Sequence, residues 1–273
     1  MSRRQVRVED ASQADFGTAS KIVRERVVGE DYRYRHRNLF WRLVAAMMYY
    51  IIAPIPAFII VKLHGMRFVN RRAVRQAGGC YIYGNHTHWT DVFVPYMLSF
   101  PRRAYIITGP TAVSVPVAKY LVPMFGGIPL NASAKGKMSF RKRTSEVVAR
   151  GHPLAIFPEA HLWPYYNGIR DFTPYSFTYP VHAPAPVIPY VVTYRRRRWL
   201  KSRRPLITVT VGEPILPEAW QSAPDPKTFL RDKVRGFMVE TATAMKSYAW
   251  VEYSVEDFSD EAGPVQSDPR QSC

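Results

Sequence analysis

The sequence predicts an α/β protein with a largely parallel or mixed sheet flanked by helices, preceded by an N-terminal membrane-associating helical segment. Three observations predict it. From about residue 66, short runs of β-branched and aromatic residues alternate with longer helical stretches, which is typical of a sheet with helices on its faces. Before this region, nineteen consecutive residues, 43–61, carry no charge. The chain has 273 residues, of which 47% are hydrophobic, enough for one sizeable core.

Charge and hydropathy divide the chain into four regions. We expect a polar N-terminal extension at residues 1–34, the membrane-associating segment at 35–64, the α/β domain at 65–251 and a disordered acidic tail at 252–273. We expect no cleaved signal peptide, because no apolar stretch follows the first arginines. The two cysteines, Cys80 and Cys273, form neither a disulfide framework nor a zinc cluster, and they fit a reducing compartment.

The uncharged run at 43–61 is nearly long enough to cross a bilayer. As one helix it would extend about 28 Å, just short of a bilayer core. Pro54 and Pro56 interrupt it, so two short helices that enter and leave one leaflet fit as well as a spanning helix. A buried core helix of a soluble protein is the third alternative. Basic residues on both sides favour both ends on the cytoplasmic face: Arg33, Arg35, Arg37, Arg42, Lys62, Arg67, Arg71 and Arg72.

The α/β region contains seven predicted strands, at residues 66–69, 80–83, 104–108, 127–130, 154–157, 187–194 and 206–211. Helices are predicted near residues 91–99, 114–123, 136–150 and 226–249. The last helix follows from apolar residues that recur close to every 3.6 positions. Active sites of such folds lie beyond the carboxyl ends of the strands.

The segment 84–91 directly follows a predicted strand and carries His86 and Asp91. Five residues correspond to about 140° around a helix, so these side chains meet only if His86 ends a loop and Asp91 opens the next helix, with Thr90 as a cap. Asp91 would then fix the imidazole tautomer and leave the other nitrogen free as a base. This is the His–Asp half of a serine-hydrolase triad without the serine, and it suits direct transfer from a thioester to a substrate hydroxyl.

Two other interpretations compete for these residues. His86, His88 and Asp91 also resemble a metal-ligand cluster, although no second cluster with ligand spacing accompanies them. The second candidate motif, Phe157-Pro-Glu159, places an acidic residue at the carboxyl end of a strand, where it could line a site or simply form a turn. A lipid esterase lacks support, because the sequence contains no Gly-x-Ser-x-Gly elbow.

Four ordered blocks over residues 65–215 together resemble the glycerolipid acyltransferase family, whose best known members are the 1-acyl-sn-glycerol-3-phosphate acyltransferases. The blocks are Asn85-His-x4-Asp91, Phe125-Gly-Gly-Ile-Pro-Leu130, Phe157-Pro-Glu159 and Val187-Ile-Pro189. The resemblance implies that His86 is the general base, that Asp91 orients it and that Glu159 helps to bind the acceptor. It also implies an acyl-CoA or acyl-carrier-protein donor, no cofactor, and an acceptor that is 1-acyl-glycerol-3-phosphate or a related lysophospholipid.

The chain departs from the family pattern at two places that bear on the acceptor. Gly127 and Asn131 are candidate substrate-binding residues of the second block, but Asn131 stands where the family usually has a basic residue for the acceptor phosphate. The third block reads Phe157-Pro-Glu-Ala-His-Leu162 in place of Phe-Pro-Glu-Gly-Thr-Arg. A phosphate requires several donors, so Lys135 or Arg170 replaces them, with Lys137 and Arg141 as further candidates, or the acceptor is another lipid. The aromatic segment 163–170 forms either a substrate wall or a packed loop.

The net charge of +17 indicates an anionic partner. Seven of the ten residues at 195–204 are basic, in a hairpin-like loop between two predicted strands. No zinc-finger, recognition-helix or ribonucleoprotein signature accompanies them, so we expect an anionic bilayer surface, no nucleic acid and no obligate protein partner. The alternatives are a merely solvated loop and a non-catalytic basic protein that binds membranes or nucleic acid.

Overall fold

The computed structural model describes residues 4–8, 28–35, 38–114, 116–197 and 204–255. Within these ranges a seven-stranded mixed sheet has the order β2-β8-β7-β3-β6-β4-β5. Its strands are β2 (Arg67–Val69), β3 (Tyr81–Gly84), β4 (Tyr105–Thr108), β5 (Gly127–Pro129), β6 (Leu154–Ile156), β7 (Val187–Arg195) and β8 (Leu206–Val211). Helices flank this sheet, so the predicted fold class is confirmed.

Strands β7, β3, β6, β4 and β5 run parallel, so their carboxyl ends meet at one edge of the sheet. Strand β8 pairs antiparallel with β7, and β2 pairs parallel with β8. All four residues of β3 are buried, as are eight of the nine in β7. Strands covered on both faces appear in sequence as continuous apolar runs, and this explains why all seven predicted strands are present with ends shifted by one residue at most.

Six helices surround or follow the sheet in the described residues after residue 65. They are α2 (Arg72–Ala77), α3 (Val94–Ser99), α4 (Ala118–Met124), α5 (Ala134–Ala149), α6 (Thr178–His182) and α7 (Pro226–Ala244). Helices α2 and α3 pack on one face of the sheet and α5 and α7 on the other, giving two hydrophobic clusters. Ser133 and Asp225 cap α5 and α7 by accepting hydrogen bonds from backbone N–H groups in the first turn.

The helix before the sheet, α1 (Leu39–His64), runs through both prolines without an intervening loop, in contrast to the alternative of two separate short helices. Residues Met48–Ile52 form a π-helical turn directly ahead of Pro54, in which the Ala53 N–H donates to the Met48 carbonyl at 2.8 Å. Proline has no N–H to donate to the carbonyl four residues back, and the wider turn adapts the helix to this loss. Its 26 residues correspond to a length of about 39 Å.

One stripe of α1 is buried against the domain and the opposite face is exposed. The buried stripe follows a spacing of three or four residues: Ala45, Tyr49, Ala53, Ala57, Ile60 and His64. The exposed face carries Arg42 and Lys62 near its two ends and is otherwise formed mainly by large apolar side chains: Leu39, Phe40, Leu43, Met47, Ile51, Ile55, Phe58, Ile59 and Leu63. Since only 28% of its most apolar window is buried, α1 is not a core helix of the described fold. By length and composition it is able to cross a membrane.

Both chain ends differ from the predicted extension and tail. Strand β1 (Arg4–Val8) pairs in parallel with β9 (Val251–Val255), so residues 252–255, predicted as disordered tail, are part of a two-stranded sheet. Residues 256–273 of the predicted tail lie outside the described residues. Residues 28–34, predicted as the end of the polar extension, pack on the domain, where Val28 is buried and the Tyr34 hydroxyl donates to the Pro129 carbonyl.

Candidate active site

The loop that follows β3 carries His86 at the carboxyl edge of the sheet. Strand β3 ends at Gly84, where a Cβ atom would lie 2.0 Å from the ring of Tyr190, so only glycine fits. The next side chain, Asn85, is fully buried and bonds the backbone of β7: its Nδ2 donates to the Val192 carbonyl at 3.0 Å, and its Oδ1 accepts from the Val192 N–H at 2.8 Å. These bonds fix the point from which the His86 loop begins.

His86 and Asp91 meet as the spacing argument requires, with 3.2 Å between His86 Nδ1 and Asp91 Oδ2. The same oxygen accepts from the backbone N–H groups of Thr87, at 2.7 Å, and His88, at 2.8 Å. Asp91 lies in the first turn of the 3-10 helix Trp89–Phe93, and the residue that caps this helix is His88, not the predicted Thr90. The buried carboxylate of Asp91 therefore fixes both the loop backbone and the imidazole.

The ring of His86 is held from one side and stays partly accessible. It stacks on Phe157 with 4.5 Å between ring centroids and an interplanar angle of 23°, and 18% of its side chain is exposed. The bond network assigns the Nδ1 proton to the Asp91 contact. Among the described residues Nε2 has no hydrogen-bond partner. A neutral imidazole with a free Nε2 lone pair is the arrangement required of a general base.

His88 is a structural residue in this loop. Its Nδ1 accepts from the Thr90 N–H at 3.2 Å, and its Nε2 lies 3.2 Å from the Tyr165 hydroxyl. Burial, followed by the neighbouring His64, lowers the pKa of His88 to about 3, so it stays neutral at physiological pH. With both nitrogens engaged, His88 offers no ligand to a metal shared with His86. Within the ranges that the structure describes, no group of three or more His, Cys, Asp or Glu side chains is placed to hold a metal ion.

Glu159 lies beside His86 but is enclosed. Its side chain has no exposed surface, and its Oε2 accepts from the His86 N–H at 3.2 Å. Arg170 donates two further hydrogen bonds to this carboxylate, from its backbone N–H to Oε1 at 3.1 Å and from its Nη2 to Oε2 at 3.0 Å. Burial raises the pKa of Glu159, and the charge of Arg170 opposes that rise. The resemblance implies that Glu159 helps to bind the acceptor; in the structure its carboxylate connects the His86 loop to Arg170.

The aromatic segment after Glu159 packs on the His86 loop. The backbone N–H of Trp163 donates to the His86 carbonyl at 3.2 Å, and that of Tyr165 to the Thr87 carbonyl at 2.7 Å. The Arg170 guanidinium lies over the Trp163 ring, 5.0 Å from its centroid, and also donates to the His161 carbonyl. With 10% of its side chain exposed and these contacts made, Arg170 supports the loop and does not present its charge to a phosphate.

The remaining predicted substrate-binding residues belong to the β5 edge. Asn131 is buried, donates to the Gly29 carbonyl at 3.0 Å and accepts from Ser133. Lys135 bonds Asp31 at the surface, 2.8 Å away. A Cβ on Gly127 would lie 2.2 Å from a Val122 methyl group, which indicates a packing role. The ends of β3 and β5 are separated by two strands, β6 and β4, so Asn131 is about 14 Å from the His86 loop.

Two residues beneath the His86 loop have supporting roles that the sequence did not predict. The Tyr194 hydroxyl lies 3.0 Å from the Thr87 carbonyl oxygen and 2.9 Å from Thr87 Oγ1. Tyr194 and Asn85 are both buried beneath the loop. Asn85 stands next to His86 in the first block, and this position in the motif was the available sequence signal for its supporting role. Tyr194 comes from a strand 107 residues away, so no local pattern indicates its contact.

The carboxyl end of α1 reaches this site. The ring of His64, at the end of α1, lies 4.8 Å from that of His88 and 6.1 Å from that of Trp89. Trp89 is 52% exposed and Val92 41%. At the base of the basic loop, Arg197 Nη2 donates to the Leu63 carbonyl at 2.9 Å, which places a cation at the carboxyl end of the helix. The β7–β8 hairpin predicted around this loop is present, and residues 198–203 lie outside the described residues.

Comparisons with known proteins agree with this architecture. The model of the Acyltransferase family matches residues 65–193. The crystal structure of the 1-acyl-sn-glycerophosphate (LPA) acyltransferase PlsC from Thermotoga maritima superimposes with a TM-score of 0.50 at 14% identity, covering 79% of this chain and 99% of that one. A comparison with curated protein sequences finds no match. The apolar helix and the shared fold indicate membrane association. Residues 65–193 thus match the Acyltransferase family, and the chain shares the fold of a 1-acyl-sn-glycerophosphate acyltransferase.

Proposed function

We propose that the protein transfers a fatty acyl group from a thioester donor to a free hydroxyl of a lysophospholipid at a membrane surface. The observation that carries the proposal is the pair formed by His86 and Asp91, in which Nδ1 is held by the carboxylate and Nε2 has no partner among the described residues. No Ser, Thr or Cys side chain within those residues is bonded to His86. A base without a protein nucleophile favours direct attack by the acceptor.

In the proposed reaction, His86 Nε2 takes the proton of the acceptor hydroxyl while its oxygen attacks the thioester carbonyl. The tetrahedral intermediate collapses, the C–S bond breaks and the ester forms. The imidazolium returns its proton to the departing thiolate, so the enzyme is regenerated. Asp91, buried and 3.2 Å from Nδ1, stabilises the imidazolium between the two proton transfers.

The acceptor is proposed to be 1-acyl-glycerol-3-phosphate or a related lysophospholipid. The similar Thermotoga enzyme is described as acting on 1-acyl-sn-glycerophosphate, and a net charge of +17 favours an anionic substrate. Neither Asn131 nor Arg170 is available to hold its phosphate, because both are buried and bonded to protein groups. The donor is proposed to be acyl-CoA or acyl-carrier protein, and no cofactor is needed for the proton transfers.

We further propose that α1 lies along the cytoplasmic face of the membrane. Its buried stripe contacts the domain from Ala45 to His64, so the exposed face points away from the domain along nearly the whole helix. Trp89 and Val92 continue this apolar surface beside the His86 loop, and basic residues flank both helix ends. This arrangement favours direct passage of lipid between the bilayer and His86.

A panel of acceptors tests the proposal. Purified protein is given acyl-CoA or acyl-carrier protein together with 1-acyl-glycerol-3-phosphate, lysophosphatidylethanolamine, lysophosphatidylglycerol or monoacylglycerol, and products are identified by mass. We expect a diacyl product from at least one phosphorylated acceptor and none from His86→Ala. No product from any acceptor, together with salt-sensitive binding to DNA or RNA, would favour the non-catalytic alternative.

A further inference from the structure

A cavity of about 440 Å³ lies away from His86, between the first half of α1 and helix α5, at the β5 edge of the sheet. Among the residues that the structure describes, five arginines and a histidine contribute to its wall, and no Asp or Glu does. They are Arg35, Arg42, Arg103, Arg143, Arg150 and His152.

This cavity is separate from the proposed catalytic site. Arg103 and His152 come just before strands β4 and β6, at the amino ends of the parallel strands, whereas His86 follows the carboxyl end of β3. A strand of four residues extends about 13 Å, and β4 is displaced from β3 by about 10 Å. The phosphate and hydroxyl of one lysophospholipid share a single glycerol unit, so one molecule does not reach both places.

The positive charges in the cavity are largely uncompensated. Within the described residues, the side chains of Arg35, Arg42 and Arg150 make no hydrogen bond or ion pair. The nearest carboxylate oxygen to Arg143 belongs to Glu146, 3.9 Å away, and Arg143 Nε is buried without a partner. Clustered guanidinium groups present planar sets of donors that match phosphate oxygens.

Two further groups support an anion-binding character. Arg103 is fixed by bonds to the Pro123 and Met124 carbonyls and lies over the Tyr105 ring, so its position is set in advance of any ligand. Burial, and next the charge of Arg103, lower the pKa of His152, which is consistent with a positive local potential. The cavity therefore combines fixed cations, free cations and a partly desolvated wall.

Part of the apolar wall of the cavity comes from the exposed side of α1. Leu39, Leu43 and Tyr50 line the cavity and are also exposed, by 66%, 61% and 42%. A ligand that fills the cavity contacts the arginine side chains at one end and the apolar side chains of α1 at the other. We propose that the cavity binds the phosphate head group of an anionic membrane phospholipid, with its acyl chains along the exposed face of α1. Such a lipid is held as a ligand, independently of acyl transfer, and ties α1 to anionic regions of the membrane.

Native mass spectrometry of the full chain in mild detergent tests this proposal, with phosphatidylglycerol and phosphatidylcholine of identical acyl chains as probes. We expect a one-to-one adduct with phosphatidylglycerol, retained in His86→Ala, and little with phosphatidylcholine. Arg143→Gln should weaken the adduct roughly tenfold, as expected for a charged hydrogen bond to phosphate. Arg141→Gln is the matched control, because Arg141 is exposed and two residues place it about 200° around the same helix. Arg42→Gln provides a second variant at an exposed position, and circular dichroism verifies that each variant is folded.

Competition distinguishes the source of the phosphate. Inorganic phosphate and CoA are added in excess over phosphatidylglycerol; a retained adduct supports the lipid site, whereas displacement by CoA would identify the cavity as a donor site and overturn the proposal. Equal retention of phosphatidylcholine, or equal weakening by Arg141→Gln and Arg143→Gln, would also overturn it, since either shows that the binding is not set by this cavity. Loss of acyl transfer in His86→Ala with the adduct unchanged separates this site from the proposed function.

Discussion

Asp91 Oδ2 accepts the backbone N–H groups of Thr87 and His88 and lies 3.2 Å from His86 Nδ1. One buried oxygen thus fixes both the loop conformation and the ring of the base. The other carboxylate oxygen, Oδ1, is buried and has no hydrogen-bond partner among the described residues. The charge of Asp91 is therefore directed at the loop and the imidazole, the two features that the proposed reaction requires.

Asp91→Asn is predicted to lower kcat by about 10²- to 10⁴-fold, the range typical of general-base function, because a neutral amide no longer stabilises the imidazolium. Initial rates at saturating acceptor measure this effect. Asp232→Asn is the matched control, since Asp232 is an exposed residue of α7. An unchanged kcat in folded Asp91→Asn would contradict the orienting role.

Glu159→Gln is predicted to reduce kcat roughly ten- to a hundredfold with little change in KM for the acceptor. The enclosed carboxylate contacts the His86 backbone and Arg170, so its loss displaces the base. Separate determination of kcat and KM tests this prediction. A raised KM with kcat unaltered would instead support direct acceptor binding by Glu159.

His88 is predicted to make the fold sensitive to acid. Its pKa is about 3 in the folded protein and 6.5 for a solvated histidine of the unfolded chain. The unfolded chain therefore takes up the proton first, and stability is lost as pH falls from 6.5 towards 3. At pH 5 the loss is about 2 kcal/mol. Urea unfolding of wild type and His88→Gln at pH 7 and pH 5 measures it. We expect a smaller loss in His88→Gln, and parallel losses would refute the assignment.

The exposed face of α1 is predicted to carry membrane binding. Replacing Leu43 and Phe58 by Glu should reduce vesicle binding by roughly tenfold per residue, because each side chain otherwise leaves water on binding. Co-sedimentation with vesicles measures the change. Met138→Glu is the control, since Met138 is 74% exposed but lies on α5. Equal loss in the control would show that general charge, not this face, governs binding.

The sequence predicted the strands and the His86–Asp91 contact because both follow from local constraints. Buried parallel strands form apolar runs, and a five-residue spacing brings the two side chains together only across a loop and a helix start. It did not predict the pairing of β1 with β9, which joins the two ends of the chain. The role of Glu159 also depended on a partner eleven residues away. Such contacts depend on tertiary packing, for which a single sequence carries no periodic signal.

The most direct test of the account is acyl transfer by purified His86→Ala, with His182→Ala as a control because His182 is exposed on α6. The measured quantity is kcat/KM for the best acceptor, with membrane binding and circular dichroism recorded for each protein. The account predicts a loss of at least about 10²-fold in His86→Ala and none in His182→Ala. Full activity in folded, membrane-bound His86→Ala would contradict it.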